Sequence, residues 1–113
     1  MAHVPNRENA HVPIEKLRDY LLSPVHPVGR LKAAYFVSLG YTQDNWLQLE
    51  QDLRQVLTND VARVERTTFG VKYVVYGTIT SPSGKTARIV TVWVIRSGEE
   101  TPRFVTAFPG AMP

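Results

Sequence analysis

The stretch His26-Pro27-Val28-Gly29-Arg30-Leu31-Lys32 holds the densest set of side chains able to do chemistry in this chain. Histidine titrates near neutrality, so it can take or give a proton. A helix starting here would turn its free NH groups and positive dipole end toward a phosphate. Arg30 lies one turn beyond His26, so both can share a face. Lys32 lies about 200° from Arg30 at roughly 100° per residue. On a regular helix, then, only one of the two cations reaches a given ligand atom. The same spacing also suits a capping histidine followed by two solvated cations.

A second set lies further along the chain. Lys72, Arg88, Arg96 and Arg103 fall in strand-like segments and are interleaved with Tyr73, Tyr76, Trp93, Phe104 and Phe108. Cations beside aromatics on a sheet are what an RNA-binding face needs, for phosphate neutralisation and base stacking. A small domain also needs aromatics in its core, and Trp93 and Phe104 are expected there. The candidate RNA-contacting residues are therefore Lys72, Tyr73, Tyr76, Arg88, Arg96 and Arg103. Thr106 falls in the last strand, where alternation leaves it on either face.

Other chemistries find no support. The acids are scattered, with no DxD, no HxxxH and no ExxH in a segment expected to be helical, so the carboxylate cluster of a two-metal hydrolase is missing. No GxxxxGK[ST], GxGxxG or GxSxG motif occurs, which argues against a phosphate-cradling loop and a serine-hydrolase elbow. The chain has no cysteine, so disulfides, a thiol nucleophile and cysteine-based zinc sites are excluded. No metal and no cofactor is expected. Charge is unevenly distributed. Residues 1–58 carry six basic and six acidic side chains, while residues 59–113 carry seven against four, a net of +3. An isoelectric point near 9.5 suits a polyanionic partner.

Positioning these groups falls to a short series of elements. At 113 residues, with 43% hydrophobic and 20% charged side chains, the chain has the composition of one folded domain. No apolar run reaches the roughly 18–20 residues that span a bilayer, and no signal-like segment opens the chain, so a cytoplasmic protein without membrane contact is expected. Residues 1–12 are polar and aperiodic and read as a flexible arm, with the domain over 13–109. A first helix is expected from Pro13, with Ile14, Leu17 and Leu21 as its apolar stripe, ending before Pro24. A second is expected from Pro27 to Leu39 and stops at Gly40, with His26 at or near its N-cap. A third, capped by Thr42, carries the stripe Trp46, Leu49, Leu53, Val56 and Leu57.

The pattern then shifts to period two. Strands are expected over 61–66, 71–79, 87–95 and 103–108, from their β-branched and aromatic content. Short loops, Thr68-Phe69-Gly70, Ser81–Lys85 and Ser97–Glu100, join the four runs, and short loops favour antiparallel neighbours. Helices that all precede strands give an α+β domain with the helices on one face of a four-stranded antiparallel sheet. Leu17, Leu21, Leu31, Trp46, Leu49, Leu53, Val92 and Val94 are expected to be mostly buried. The other sheet face is left for function.

Two stretches carry a resemblance. One is Ile14–Leu22 together with His26–Phe36 and Leu39-Gly40-Tyr41. The other is Thr91-Val92-Trp93 with Phe104-Val105-Thr106-Ala107-Phe108-Pro109. Together they resemble a family of small bacterial domains of unknown function, over about residues 13 to 109. That layout is similar to the barnase, EndoU, colicin and RelE-like superfamily, mostly metal-independent ribonucleases used as toxins. The resemblance implies RNA cleavage by attack of a 2′-hydroxyl on the adjacent phosphate. It implies His26 as base or acid, Arg30 and Lys32 as charge stabilisers, and Thr106 as a hydrogen-bond donor to phosphate. Only one histidine suits catalysis, so a second proton-transfer group is needed. Tyr73, Tyr76 and Lys32 are candidates for it. The implied partners are RNA and a cognate antitoxin or immunity protein. A non-catalytic RNA-binding module and a protein-contact domain of a toxin–antitoxin or defence locus are the other readings.

Overall fold

The β-branched and aromatic runs of the second half pair into one antiparallel sheet of order β1-β2-β3-β4. The strands are β1 (Arg63–Thr67), β2 (Gly70–Thr80), β3 (Thr86–Arg96) and β4 (Arg103–Pro109). Before them come α1 (Ile14–Lys16), a π-helical turn (Leu17–Leu21), α2 (Arg30–Ser38) and α3 (Trp46–Val56). The computed structural model describes residues 2–23, 25–27 and 30–110, with Arg30 and Leu31 as backbone alone. Helices first and strands after them give the expected α+β architecture.

The core lies between the helices and one sheet face. Val75, Ile79, Ile89, Trp93 and Phe104 meet Leu17, Leu21, Phe36, Tyr41, Leu49 and Leu53 there, all buried. Trp93 and Phe104 stack edge to face with centroids 5.2 Å apart, a favoured aromatic geometry. The Trp93 indole NH donates to Thr91 Oγ1 at 2.8 Å, and Thr91 in turn donates to the Val75 carbonyl at 2.9 Å. The buried polar groups of the central strand are thereby satisfied. Helix α3 comes close to β2 at Gly77. A Cβ there would stand 2.7 Å from a Val56 methyl, so the approach requires glycine.

Several expectations need correction. Residues 2–12 are packed against the domain and do not form a free arm. Val4, Ala10 and Val12 are buried, and the backbone of His11 bonds Pro102 and Phe104 at 2.8 and 2.9 Å beside the start of β4. Three small apolar residues at irregular spacing carry no periodic signal, so their burial was invisible in the sequence. Helix α3 begins after Asn45. Thr42 instead closes the preceding turn, where Asn45 NH donates to Thr42 Oγ1 and Thr42 NH to Asn45 Oδ1. The described part of α2 begins at Arg30, so His26 lies in the loop before it. Val28 and Gly29, and the side chains of Arg30 and Leu31, lie outside the described residues. Trp46 and Val94 are half-buried, whereas Leu17, Leu21, Leu49, Leu53 and Val92 are buried as expected.

Strand β4 contains the irregularity that decides the site. Thr91 faces Ala107 and Val92 faces Thr106, but Trp93 faces Phe104, so Val105 is an extra residue. Strict alternation would put Phe104, Thr106 and Phe108 on one face. The bulge separates them, with Phe104 in the core and Thr106 and Phe108 on the helix-free face. Bulges re-aim side chains in this way.

Candidate active site

The site begins with a loop held by Ser23. Its buried hydroxyl accepts hydrogen bonds from the backbone NH groups of Val25 and His26, at 3.3 and 3.2 Å. That turn sets the His26 ring against Tyr20 in a T-shaped pair, with centroids 5.0 Å apart and planes at 89°. Tyr20 sits in the π-helical turn, where Leu22 NH reaches back to the Leu17 carbonyl at 2.8 Å. Such wide turns are uncommon and are frequent at functional sites. Leu17 and Leu21 remain in the core while Tyr20 stays half-buried.

Lys32, near the start of α2, closes the cluster. Its Nζ donates to the Tyr20 hydroxyl at 2.9 Å and to Thr106 Oγ1 at 2.8 Å. The ammonium also lies 5.3 Å from the Tyr20 ring centroid and 6.0 Å from that of Phe108. The Lys16 ammonium stands 5.5 Å over the same tyrosine ring. Among the described residues no carboxylate pairs with Lys32. Two hydroxyls orient its charge but do not cancel it, so a net positive charge is available to an anion.

The phenol of Tyr20 responds to this setting. Burial pushes its pKa up, but hydrogen bonds with Lys32 and Thr106 and the charges of Lys32 and Lys16 outweigh that. The net result is a phenol more acidic than usual, because its anion is stabilised by nearby cations.

The helix-free sheet face carries a groove of about 410 Å³ that shares Thr106 and Phe108 with the cluster. Val74, Val90 and Val92 form its floor, and Arg63, Lys72 and Tyr76 also line it. Arg63 is paired with Glu65 at 3.0 Å. Lys72 forms no ion pair among the described residues.

Of the residues singled out by sequence, His26, Lys32 and Thr106 come together around Tyr20. Arg30's side chain is outside the described residues. Lys72 and Tyr76 share the groove with Thr106. Tyr73 does not join them, because it alternates to the opposite face and packs against the core. Arg88 and Arg96 stand eight residues apart on β3, opposite Thr78 and Gly70, and neither lines the groove. Arg103 is held by Glu99 at 3.1 Å. Sequence reasoning missed Tyr20. Its spacing from Lys16 and Leu17 reads only as a helix residue beside an apolar stripe, and the partners that distinguish it are 12 and 86 positions away or reached through a loop. Among the described residues no three histidine or carboxylate side chains gather as a metal site, and no helix is long and apolar enough to cross a membrane.

Comparison with known proteins addresses fold and family. A chain of the contact-dependent growth inhibition toxin–immunity protein complex from Klebsiella pneumoniae 342 is similar in structure. It has a TM-score of 0.70 at 18% identity, covering 88% of this chain and 98% of that chain. At such identity the likeness is one of fold. No curated protein matches the chain. A family model described as a domain of unknown function, DUF6883, matches residues 3–111. That span includes the packed N-terminal segment, the Tyr20–Lys32–Thr106 cluster and the whole sheet, and the chain belongs to the DUF6883 family.

Proposed function

We propose that this domain is a toxin-type endoribonuclease that cleaves RNA without a metal ion, by attack of the 2′-hydroxyl on the adjacent phosphate. The observation that carries the reading is Lys32. Among the described residues it is an ammonium without a carboxylate partner, held by Thr106 and by the Tyr20 that His26 packs against, where the open sheet groove begins. Lys32 stabilises charge that develops on the non-bridging phosphate oxygens, and Thr106 adds a hydrogen bond. His26 takes the 2′-hydroxyl proton as general base. Arg30 is the further cation proposed for this end. The groove takes the flanking RNA, with Lys72 at phosphate and Tyr76 and Phe108 as stacking surfaces. Arg88, Arg96 and Arg103, away from the groove, add at most sequence-independent attraction.

The fold likeness to a chain of a toxin–immunity complex supports a toxin system and a cognate inhibitory protein as partner. A partner covering Lys72 and Lys32 would present acidic residues. The same likeness also fits a domain used for protein contact alone.

The test is incubation of the purified protein with mixed-sequence RNA in EDTA, at low salt where electrostatic affinity is greatest. Fragments ending in 2′,3′-cyclic phosphate and 5′-hydroxyl are expected. His26→Ala should abolish them and leave RNA affinity nearly intact, since a neutral imidazole neutralises no phosphate. RNA binding without cleavage would make this an RNA-binding module. Neither binding nor cleavage would leave the protein-contact reading.

A further inference from the structure

Resting on the ribonuclease reading, we infer that Tyr20 is the general acid that protonates the leaving 5′-oxygen, completing a pair with His26. The reaction needs two proton transfers, and one histidine supplies only one. Tyr73, a candidate by sequence, packs against the core, and Tyr76 lies in the groove opposite Val90. Tyr20 is the tyrosine in the cluster itself.

The hydrogen-bond directions favour this role. Lys32 Nζ has protons only to give, so at 2.9 Å it donates to the Tyr20 oxygen. The bond with Lys32 therefore does not use the phenol's own proton. Among the described residues, the groups set against Tyr20 that carry or can take a positive charge are Lys16 from α1, Lys32 from α2 and His26 from the loop, and no acidic group contributes to its shift. From β4 it meets the neutral Thr106. These cations stabilise the phenolate that proton donation leaves behind, and they lower the phenol's pKa in the free protein. An acid is most effective when its conjugate base is stabilised at the moment of transfer.

The step balances. The RNA 2′-oxygen forms its bond to phosphorus as its proton passes to His26. The bond from phosphorus to the 5′-oxygen breaks, and that oxygen takes the Tyr20 proton. The products are a 2′,3′-cyclic phosphate, a 5′-hydroxyl, imidazolium and phenolate. Solvent returns the two groups to their starting states.

A leaving group that departs as a stable anion needs no acid, which supplies the experiment. Wild type and Tyr20→Phe are compared on mixed-sequence RNA and on the four ribonucleoside 3′-(4-nitrophenyl phosphates). The expected result is a loss of about 10²–10⁴-fold on RNA with nitrophenyl ester cleavage nearly unchanged. Equal losses on both substrates would assign Tyr20 to holding Lys32 in place and overturn the inference. An unchanged rate on RNA would overturn it as well. Wild type inactive on RNA would take down the ribonuclease reading itself. Should Tyr20→Phe fail to fold, 3-fluorotyrosine at position 20 keeps the hydroxyl and is more acidic. The alkaline limb of RNA cleavage should then move to lower pH, and an unmoved limb overturns the inference.

Discussion

Replacing Lys32 by methionine separates what the cluster does from what holds the fold. The substitution keeps an unbranched side chain of similar length beside Tyr20 and Phe108 and removes the charge. Two hydrogen bonds are lost, to Tyr20 and Thr106. Both hydroxyls are half-buried, so water can replace the ammonium, and the cost to stability should be about 1 kcal/mol or less. The effect on chemistry should be larger. A phosphate oxygen about 4 Å from the ammonium gains about 4 kcal/mol at an effective dielectric near 20. Part of that is already realised in the bound ground state, which does not raise the rate of the chemical step. If about 3–4 kcal/mol is lost between free reactants and transition state, kcat/KM falls by roughly 10²–10³-fold. The assay is RNA cleavage in EDTA at fixed salt, with thermal unfolding of the same samples. A Lys32→Met protein that melts like wild type and cleaves as fast would refute the placement of Lys32 at the reacting phosphate. A variant that is inactive because it is unfolded would show that the lysine is structural.

Three further outcomes follow from the packing and from Tyr20. The depressed pKa of Tyr20 means that the folded state favours its phenolate. The linked stability is present above the unfolded phenol pKa of about 10 and is lost as pH falls through the folded value. The Tm gap between wild type and Tyr20→Phe should therefore widen as pH is raised toward about 10 and be independent of pH near neutrality. Removing residues 1–12 discards the buried Val4 and Val12, each worth about 1.5–3 kcal/mol, offset by the entropy of ordering the segment. Thermal unfolding should fall by about 5 °C or more, and an unchanged Tm would show that the segment does not stay docked. Gly77→Ala pushes a methyl to 2.7 Å from Val56 and should cost about 1–3 kcal/mol in denaturant unfolding. Adding Val56→Ala should recover part of that loss, since the two residues are in contact.

Much of the fold was legible in the residues. Long β-branched runs separated by Thr68-Phe69, Ser81–Lys85 and Ser97–Glu100 permit little besides three hairpins, and the strands pair in chain order. The apolar stripe of α3 was also readable, because Leu49, Leu53 and Val56 recur at helical spacing and all are buried. The N-terminal segment was not readable. Its attachment depends on backbone hydrogen bonds to Pro102 and Phe104, more than 90 positions away, and backbone bonding leaves no mark on residue type.

Of the site, the residue types were visible in the sequence and their grouping was not. His26, Lys32 and Thr106 could be picked out as a proton carrier, a cation and a hydroxyl. Local spacing says nothing about a lysine and a threonine 74 residues apart meeting at 2.8 Å. Thr106 faces the groove because Val105 is an extra residue in β4, and a bulge follows from how two strands settle their register against a core. Tyr20 gained its unusual acidity only when α1, α2 and β4 brought two lysines and a threonine around it. A side chain's type sets what chemistry it is capable of, and that much the sequence determined. The field that tunes the side chain comes from neighbours that only the packed chain supplies.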